Sequence, residues 1–351
     1  MERSASRLRV SRSIDSALPL ELIPRLPRAA SLSEFCDATK QKVKDDAFYY
    51  AHEGERARLY PSKNYTAVIS LYRANRLVTS RLGNVESAYF ACFEYGMCAP
   101  KFHRAELVWR MFTNAGMYAR DGSAASEQKV LDWWRQETRQ LLQDSVQTAA
   151  FSFLGYDLPV WSAAGLSGAY YNWGRLTCTL VTKHSEGKKL LFLGQATESV
   201  KAAHANWRDL HVRKVSNFTM CYVHMPQTTV GFPLPDASSA ETAARVLDEV
   251  DRTCPDFDTA ILSCGAYSQP LARGLRDRYK GTKNVLSMAS AIYDCFGIVT
   301  RSTQYGDDKW VGRGMRPEFL TTAQEKYDPA LMKDIDNGKY WAPPPVESAP
   351  G

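Results

Sequence analysis

Four short apolar runs pattern the second half of the chain, each closed by a glycine or polar turn and followed by residues at helical spacing. They are Lys188–Gly194, Val215–His224, Thr259–Leu262 and Asn284–Met288. Thr259–Leu262 is a continuous apolar run of the kind that suits a parallel strand covered on both faces, and the other three read as strands. Between the runs, residues 195–206 read as helix, and 240–252 carry Ala244, Leu247 and Val250 on one side. After Gly265, Pro270 falls in a first helical turn, where its missing N–H costs nothing. Leu271, Leu275 and Tyr279 then repeat every four residues. Residues 290–295 make a short last helix. Strands alternating with helices predict an α/β fold with a Rossmann-like, mostly parallel sheet flanked by helices.

The first half reads as mostly helical. Ser31-x-x-Glu34 is a capping-box pattern ahead of a helix reaching about His52. Leu77–Ser80 reads as a short strand, Val85–Phe93 as a helix, and 104–118 and 126–144 as two more. Val130, Trp133, Trp134, Leu141 and Leu142 form a core stripe on the last of these. A strand is expected over 147–153, then a Gly-, Tyr- and Trp-rich connection to Trp173. Residues 1–30 are an Arg- and Ser-rich tail, 31–341 a single domain, and 342–351 a Pro-rich tail. Within the domain the division is a helical 31–186, a Rossmann-like 187–300 and a loop-rich 301–341.

Composition narrows the function classes. The chain has 351 residues, 44% hydrophobic and 23% charged, ordinary values for a soluble globular protein. Its longest apolar runs are too short to span a bilayer, and no secretory apolar segment follows the first methionine. The net charge of +6 is scattered, which favours small anions. No basic run interleaved with aromatics argues for nucleic acid. Eight cysteines include no C-x-x-C pair and read as reduced thiols in a cytoplasmic protein. The arginines of the first thirty residues leave an organelle as the alternative, against Glu2, Asp15 and Glu21.

Three segments are candidates for chemistry, each with a plainer structural reading beside it. In Arg81-Leu-Gly83-Asn84-Val-Glu86, Arg81 suits a phosphate or carboxylate, and Asn84 and Glu86 offer oxygens to a divalent cation on a diphosphate. The plainer reading makes Asn84 a helix cap and Glu86 its dipole partner. In the turn after Leu193, Gly194, Gln195, Thr197 and Ser199 would contact a nucleotide, or merely start a helix. In the turn after Ser263, Gly265, Ala266 and Tyr267 would offer N–H groups, with Gln269 beside them and the Tyr267 ring on a base or sugar, or in the core. No dinucleotide fingerprint, P-loop, nucleophile elbow or H-E-x-x-H occurs. Six histidines show no metal spacing.

Taken in order, these segments resemble the GT-D type glycosyltransferases and their relatives. R-L-G-N-V-E is similar to the R-x-G-[DN]-x-E motif of that group. Lys189-Leu-Leu-Phe-Leu, Pro226-Gln-Thr-Thr-Val-Gly231, Gly265-Ala-Tyr-Ser-Gln-Pro-Leu-Ala272, Phe296-Gly-Ile298 and Tyr340-Trp341 follow in the group's order. The resemblance covers roughly residues 75 to 341. It implies transfer of a sugar from a nucleotide-diphosphate sugar to a glycan or other hydroxyl acceptor. It further implies Glu86 and Arg81 in catalysis and manganese or magnesium at positions 84 and 86. Asn84 stands where the family has an acid, Ser268 replaces the turn glycine, Gln195-Ala196 replaces Pro-Phe, and Ala289-Ser290 replaces Gly-Gly. A catalytically impaired saccharide- or partner-binding relative is therefore an alternative. A methyltransferase is another, lacking its glycine-rich turn.

Overall fold

Two-sided burial is realised at Lys189–Gly194, Thr259–Ser263 and Asn284–Ser287 of a parallel sheet, whereas Thr219–His224, at the sheet's edge, stays largely half-exposed. The computed structural model describes residues 65–95, 104–147, 173–229, 231–301, 303, 307–325 and 331. In chain order these give α1 (Tyr65–Arg73), β1 (Thr79–Ser80), α2 (Asn84–Tyr95), α3 (Arg104–Thr113), α4 (Ala124–Asp144), β2 (Val146–Gln147) and α5 (Trp173–His184). Next come β3 (Lys189–Gly194), α6 (Thr197–Ala205), α7 (Trp207–Leu210), β4 (Thr219–His224), α8 (Ser239–Thr253) and β5 (Thr259–Ser263). A 3-10 turn, Gly265–Tyr267, leads into α9 (Ser268–Arg278), and a second one spans Pro317–Phe319. The remainder is β6 (Asn284–Ser287), α10 (Ala291–Phe296), β7 (Ile298–Val299), α11 (Asp307–Gly312) and β8 (Thr321–Thr322).

The main sheet runs β4-β3-β5-β6, all parallel. Side chains alternate across a strand, so each apolar run feeds two cores. Leu191, Leu193, Ala260, Leu262 and Val285 join α2, α3, α4, α8 and α9 on one face. Leu190, Phe192, Ile261 and Leu286 join α1, α5, α6 and α10 on the other. Each of these strand residues has no accessible surface, which is why the runs contain no polar alternation.

Helix ends follow local chemistry. Ser123 caps α4 by accepting the Ser126 N–H at 3.2 Å. Ser238 caps α8, and Glu241 reaches back to the Ala237 N–H at 3.3 Å. The helix expected over 104–118 ends at Thr113, because Gly116 takes φ +82°. Trp134 is fully buried, its indole N–H donating to the Ala266 carbonyl at 2.8 Å. The expected strand at 147–153 is seen only as β2, and its remainder lies outside the described residues. So do both tails, the capping box at Ser31, residues 31–64 and Tyr340-Trp341.

Asn284 fixes β1 against the sheet. Its side chain, fully buried, accepts the Leu77 N–H at 2.9 Å. It donates to the Tyr72 carbonyl at 2.9 Å and reaches Asn75 Oδ1 and Thr259 Oγ1, both at 3.1 Å. Val78 and Val285 then form a parallel bridge, and Ser287 donates twice to Thr79, its N–H to the Thr79 hydroxyl at 3.0 Å and its hydroxyl to the Thr79 carbonyl at 3.1 Å. β1 thereby runs beside β6, and β2 pairs with its far side in parallel.

The reading of all cysteines as free thiols is corrected. Cys221, in β4, and Cys254, just past α8, are joined in a disulfide with Cα atoms 6.3 Å apart, a separation that suits the bond. Cys92 is also disulfide-bonded. Cys178, Cys264 and Cys295 are free. Separation in sequence concealed the Cys221–Cys254 pair. Among the described residues no helix is long and apolar enough to cross a membrane.

Two predictions follow from this packing. Asn284→Leu keeps the volume and strands the Leu77 N–H and Tyr72 carbonyl. At about 1–3 kcal/mol per stranded group, the melting temperature should fall by on the order of 10 °C. An unchanged melting curve would refute the role given to Asn284. The second concerns acid. His211 is buried edge-on against Trp207, with ring centroids 4.5 Å apart, and its Nε2 has no partner. Burial lowers its pKa from 6.5 to about 4, and burial also lowers His184, His204 and His224. Between those two values the unfolded chain binds more protons, so stability falls as pH drops from 6.5 towards 4 and is constant above. Urea unfolding at pH 7 and pH 5 should show a smaller loss for His211→Phe than for the wild type. Equal losses would assign the acid sensitivity elsewhere.

Candidate functional site

The sheet order creates a crevice at one edge. From β3 the chain reaches β4 through α6 on one face and β5 through α8 on the other. The winding therefore reverses between β3 and β5, and ligands of open parallel sheets bind outside the carboxyl ends of strands at such a point. Both glycine turns singled out in the sequence lie there, since Gly194 pairs with Ser263 in register. A Cβ on Gly194 would stand 2.9 Å from the Ser263 carbonyl oxygen, a backbone atom that cannot yield, so only glycine fits. Gly265 takes φ +56°, a conformation other residues adopt at a cost.

The arginine–glutamate corner comes to the same edge. β1 runs parallel to β6, so Arg81 to Glu86 emerge at the carboxyl ends of the strands. Gln269 closes the link, its side-chain amide donating to the Arg81 carbonyl across 188 residues of sequence. The loop after β4 joins as well. Gln227 accepts from the Gln195 amide, and the Thr228 hydroxyl bonds the Gly116 carbonyl at 2.7 Å and lies 3.3 Å from the Tyr267 hydroxyl. Pro226-Gln-Thr-Thr is thus tied to both glycine turns.

Several expected contacts are not available. Tyr267 is 1% exposed and belongs to the core, so its ring does not stack on a ligand; burial pushes its hydroxyl pKa up. The Ala266 and Tyr267 N–H groups are spent on the Ala115 and Cys264 carbonyls at 3.4 and 3.2 Å. The Thr197 hydroxyl donates to the Gly194 carbonyl at 2.9 Å. What the Gly265 segment supplies is position, together with Gln269. Glu86 is buried and folds back over Gly83, where a Cβ would meet its Cδ at 2.9 Å. The carboxylate therefore sits at the start of its own helix, the place the plainer reading gives it. The Asn84 side chain lies outside the described residues.

Sequence reading missed Glu325. Its carboxylate accepts the Ser199 N–H at 2.9 Å and the Ser199 hydroxyl. It lies 126 positions from Ser199 with no motif around it, and only the pairing of β8 with β7 carries the chain back to α6. His224, beside Thr197 at 3.4 Å, is lowered in pKa by burial, against the pull of Glu325 and Glu198.

Three buried polar atoms on the converging segments have no hydrogen-bond partner: Ser87 Oγ, Thr229 Oγ1 and Gln269 Oε1. Buried polar atoms in proteins are nearly always bonded, so such atoms mark where water or a polar ligand is taken up. Others of the kind, on Thr138, Gln140 and His211, lie on other segments. Among the described residues no group of three or more His, Cys, Asp or Glu side chains is arranged for a metal. A cleft of about 470 Å³ between the starts of α4 and α8, lined by Arg120, Asp121, Lys129 and Glu241, includes none of the residues expected from sequence.

The Gln269 link has a measurable consequence. Gln269→Met keeps the shape and removes the donor to the Arg81 carbonyl. Hydrogen exchange at the Ser87 amide, bonded to the Gly83 carbonyl at 2.9 Å, should accelerate as the corner loosens. Unaltered protection would mean that α2 holds the corner by itself. Comparison with protein-family models, with curated proteins and with solved structures finds no match.

Proposed function

We propose that the chain is a glycosyltransferase that moves a sugar from a nucleotide-diphosphate sugar to a hydroxyl acceptor. The observation that carries this reading is the Gln269 bond to the Arg81 carbonyl, which brings the arginine–glutamate corner to the edge that holds both glycine turns. The resemblance to the GT-D type enzymes supports it, and so does the scattered positive charge. In this reading the nucleotide lies in the crevice between Gly194 and Gly265. Arg81 balances charge on the departing diphosphate, an effect of the kind worth about 10²–10³ in rate. Glu86 takes the acceptor's proton or supports the leaving group. If magnesium or manganese takes part, Glu86 offers one carboxylate and the diphosphate and water the rest, a mode that suits magnesium; the ion would supply charge neutralisation.

A second reading, a saccharide- or partner-binding relative without turnover, is favoured by a specific observation. Glu86 and Glu325 both face helix starts, as structural carboxylates do. Donor turnover separates the two. With a panel of UDP- and GDP-sugars, with and without manganese, the wild type should release nucleotide diphosphate and Glu86→Gln should lose at least about a hundredfold in rate. Stabilisation by the donor at a hundred times its Kd should approach about 2.7 kcal/mol for both proteins. Full turnover in Glu86→Gln removes Glu86 from the chemistry. Release no faster than buffer across the panel favours the binding relative. Stabilisation by S-adenosylmethionine alone favours a methyltransferase.

A further inference from the structure

Two free thiols meet where α5 packs against α10. Cys178 sits midway along α5 and is half-buried, whereas Cys295, in α10, is buried. The Cys178 thiol points at the Ala291 carbonyl at 3.8 Å, on the turn of α10 just before Cys295. Side chains on a helix lean towards its N-terminus, so the Cys295 thiol covers that same turn. The two thiols are accordingly bonded side chain to side chain. Both belong to one apolar cluster, with Cys295 inside it and Cys178 packed against its rim. The other free thiol among the described residues, Cys264, donates to the Leu193 carbonyl at 3.0 Å instead. Elsewhere the chain already carries disulfides, at Cys221–Cys254 and at Cys92. Two thiols in contact on facing helices are what such a bond needs before it forms. They also differ in the way that orders an exchange reaction. Burial first, and then the adjacent Cys178, push the Cys295 thiol above its ordinary pKa, so it does not form the nucleophilic thiolate unaided. Cys178 is the one that a reagent from solvent reaches.

We propose that Cys178 and Cys295 are a redox-active dithiol in which Cys178 attacks and Cys295 resolves, and that its closure ties α10 to α5. The co-reactant is a small disulfide of the glutathione type. The Cys178 thiolate attacks one of its sulfurs, the S–S bond breaks, and the other half leaves as a thiolate that takes up the Cys178 proton. Cys295 then attacks the Cys178 sulfur and expels the second half, which takes up the Cys295 proton. Two thiols of the chain are oxidised to one disulfide, and the small disulfide is reduced to two thiols. The tied helix directly follows β6, and the Ala289 carbonyl just ahead of it accepts the Ser263 hydroxyl at 3.1 Å. Closure therefore fixes the segment that joins the carboxyl ends of β5 and β6. The inference does not depend on the proposed sugar transfer.

The test treats the folded full chain with oxidised glutathione, blocks the remaining thiols by alkylation and maps the peptides by mass. In the wild type, peptides joined through Cys178 and Cys295 should appear, and the intact mass should fall by the two thiol hydrogens. Cys295→Ala should stop at a glutathione adduct on Cys178, and Cys178→Ala should leave Cys295 unmodified. Hydrogen exchange at the Ile292 and Tyr293 amides, bonded to the Ala289 and Ser290 carbonyls at 3.3 and 3.2 Å, should slow several-fold in the oxidised wild type. Both thiols still free, or a lasting adduct on wild-type Cys178, overturns the proposal. An adduct on Cys295 in Cys178→Ala overturns the order of attack, and a bond without slower exchange overturns the tie. Should a variant fail to fold, the wild-type peptide map and exchange decide.

Discussion

One buried amide decides where the arginine–glutamate corner can be. Asn284 uses its oxygen on Leu77 and its nitrogen on Tyr72, Asn75 and Thr259, so it fixes the first strand of the described chain against the sheet in a single register. Strand residues advance about 3.3 Å each, and a slip of two residues would carry Arg81 about 7 Å along the edge. It would also strand several buried polar groups, each worth about 1–3 kcal/mol. The position of Glu86 is therefore inherited from a contact at the opposite end of β1. Lys188, 5.2 Å from the centre of the Tyr72 ring, and the Tyr72–Ser185 hydroxyl pair at 2.7 Å hold the same junction from the turn between α5 and β3.

The other half of the edge is set by close approach of backbones. Where β3 and β5 part, Gly194 lies against the Ser263 carbonyl and the Gln195 N–H reaches it at 3.4 Å. The Cys264 thiol points at the Leu193 carbonyl at 3.0 Å, and burial drives its pKa upward, so it acts as a small apolar filler and not as a nucleophile. The crevice is thus walled by main chain and amide side chains.

The sheet was legible because its inner strands carry short apolar runs that end at turn residues. Leu190 to Leu193 reads as a strand closed by Gly194, and the structure divides its side chains between two cores. Boundaries of α2, α4, α8 and α9 followed from spacing and caps. The Tyr267 ring stayed between two readings in the sequence because an aromatic after a glycine turn looks the same there whether it faces ligand or core, and the structure buries it. Its partner Thr228 lies about 40 positions away in the chain, and Gly116, whose carbonyl Thr228 bonds in turn, about 150. The Cys221–Cys254 disulfide and the Glu325 contact were hidden for the same reason: each joins positions that no local pattern relates. Local physics fixes elements, whereas partnerships across the sheet depend on where loops return.

Glu86 and Glu325 pose one electrostatic question twice. Each is a carboxylate placed at the start of a helix on the same edge, where the dipole is worth about 0.3–1 kcal/mol and each bond to an ionised acceptor about 1.5–3. Those contributions stabilise the folded chain, and an anionic ligand at either place has to offset them before it gains anything. At α6 the Ser199 N–H and hydroxyl serve Glu325, and at the corner the Arg81 carbonyl is anchored by Gln269. The two helix starts are therefore closed by the chain's own carboxylates, and between them Gly194 brings the backbones of β3 and β5 into close approach.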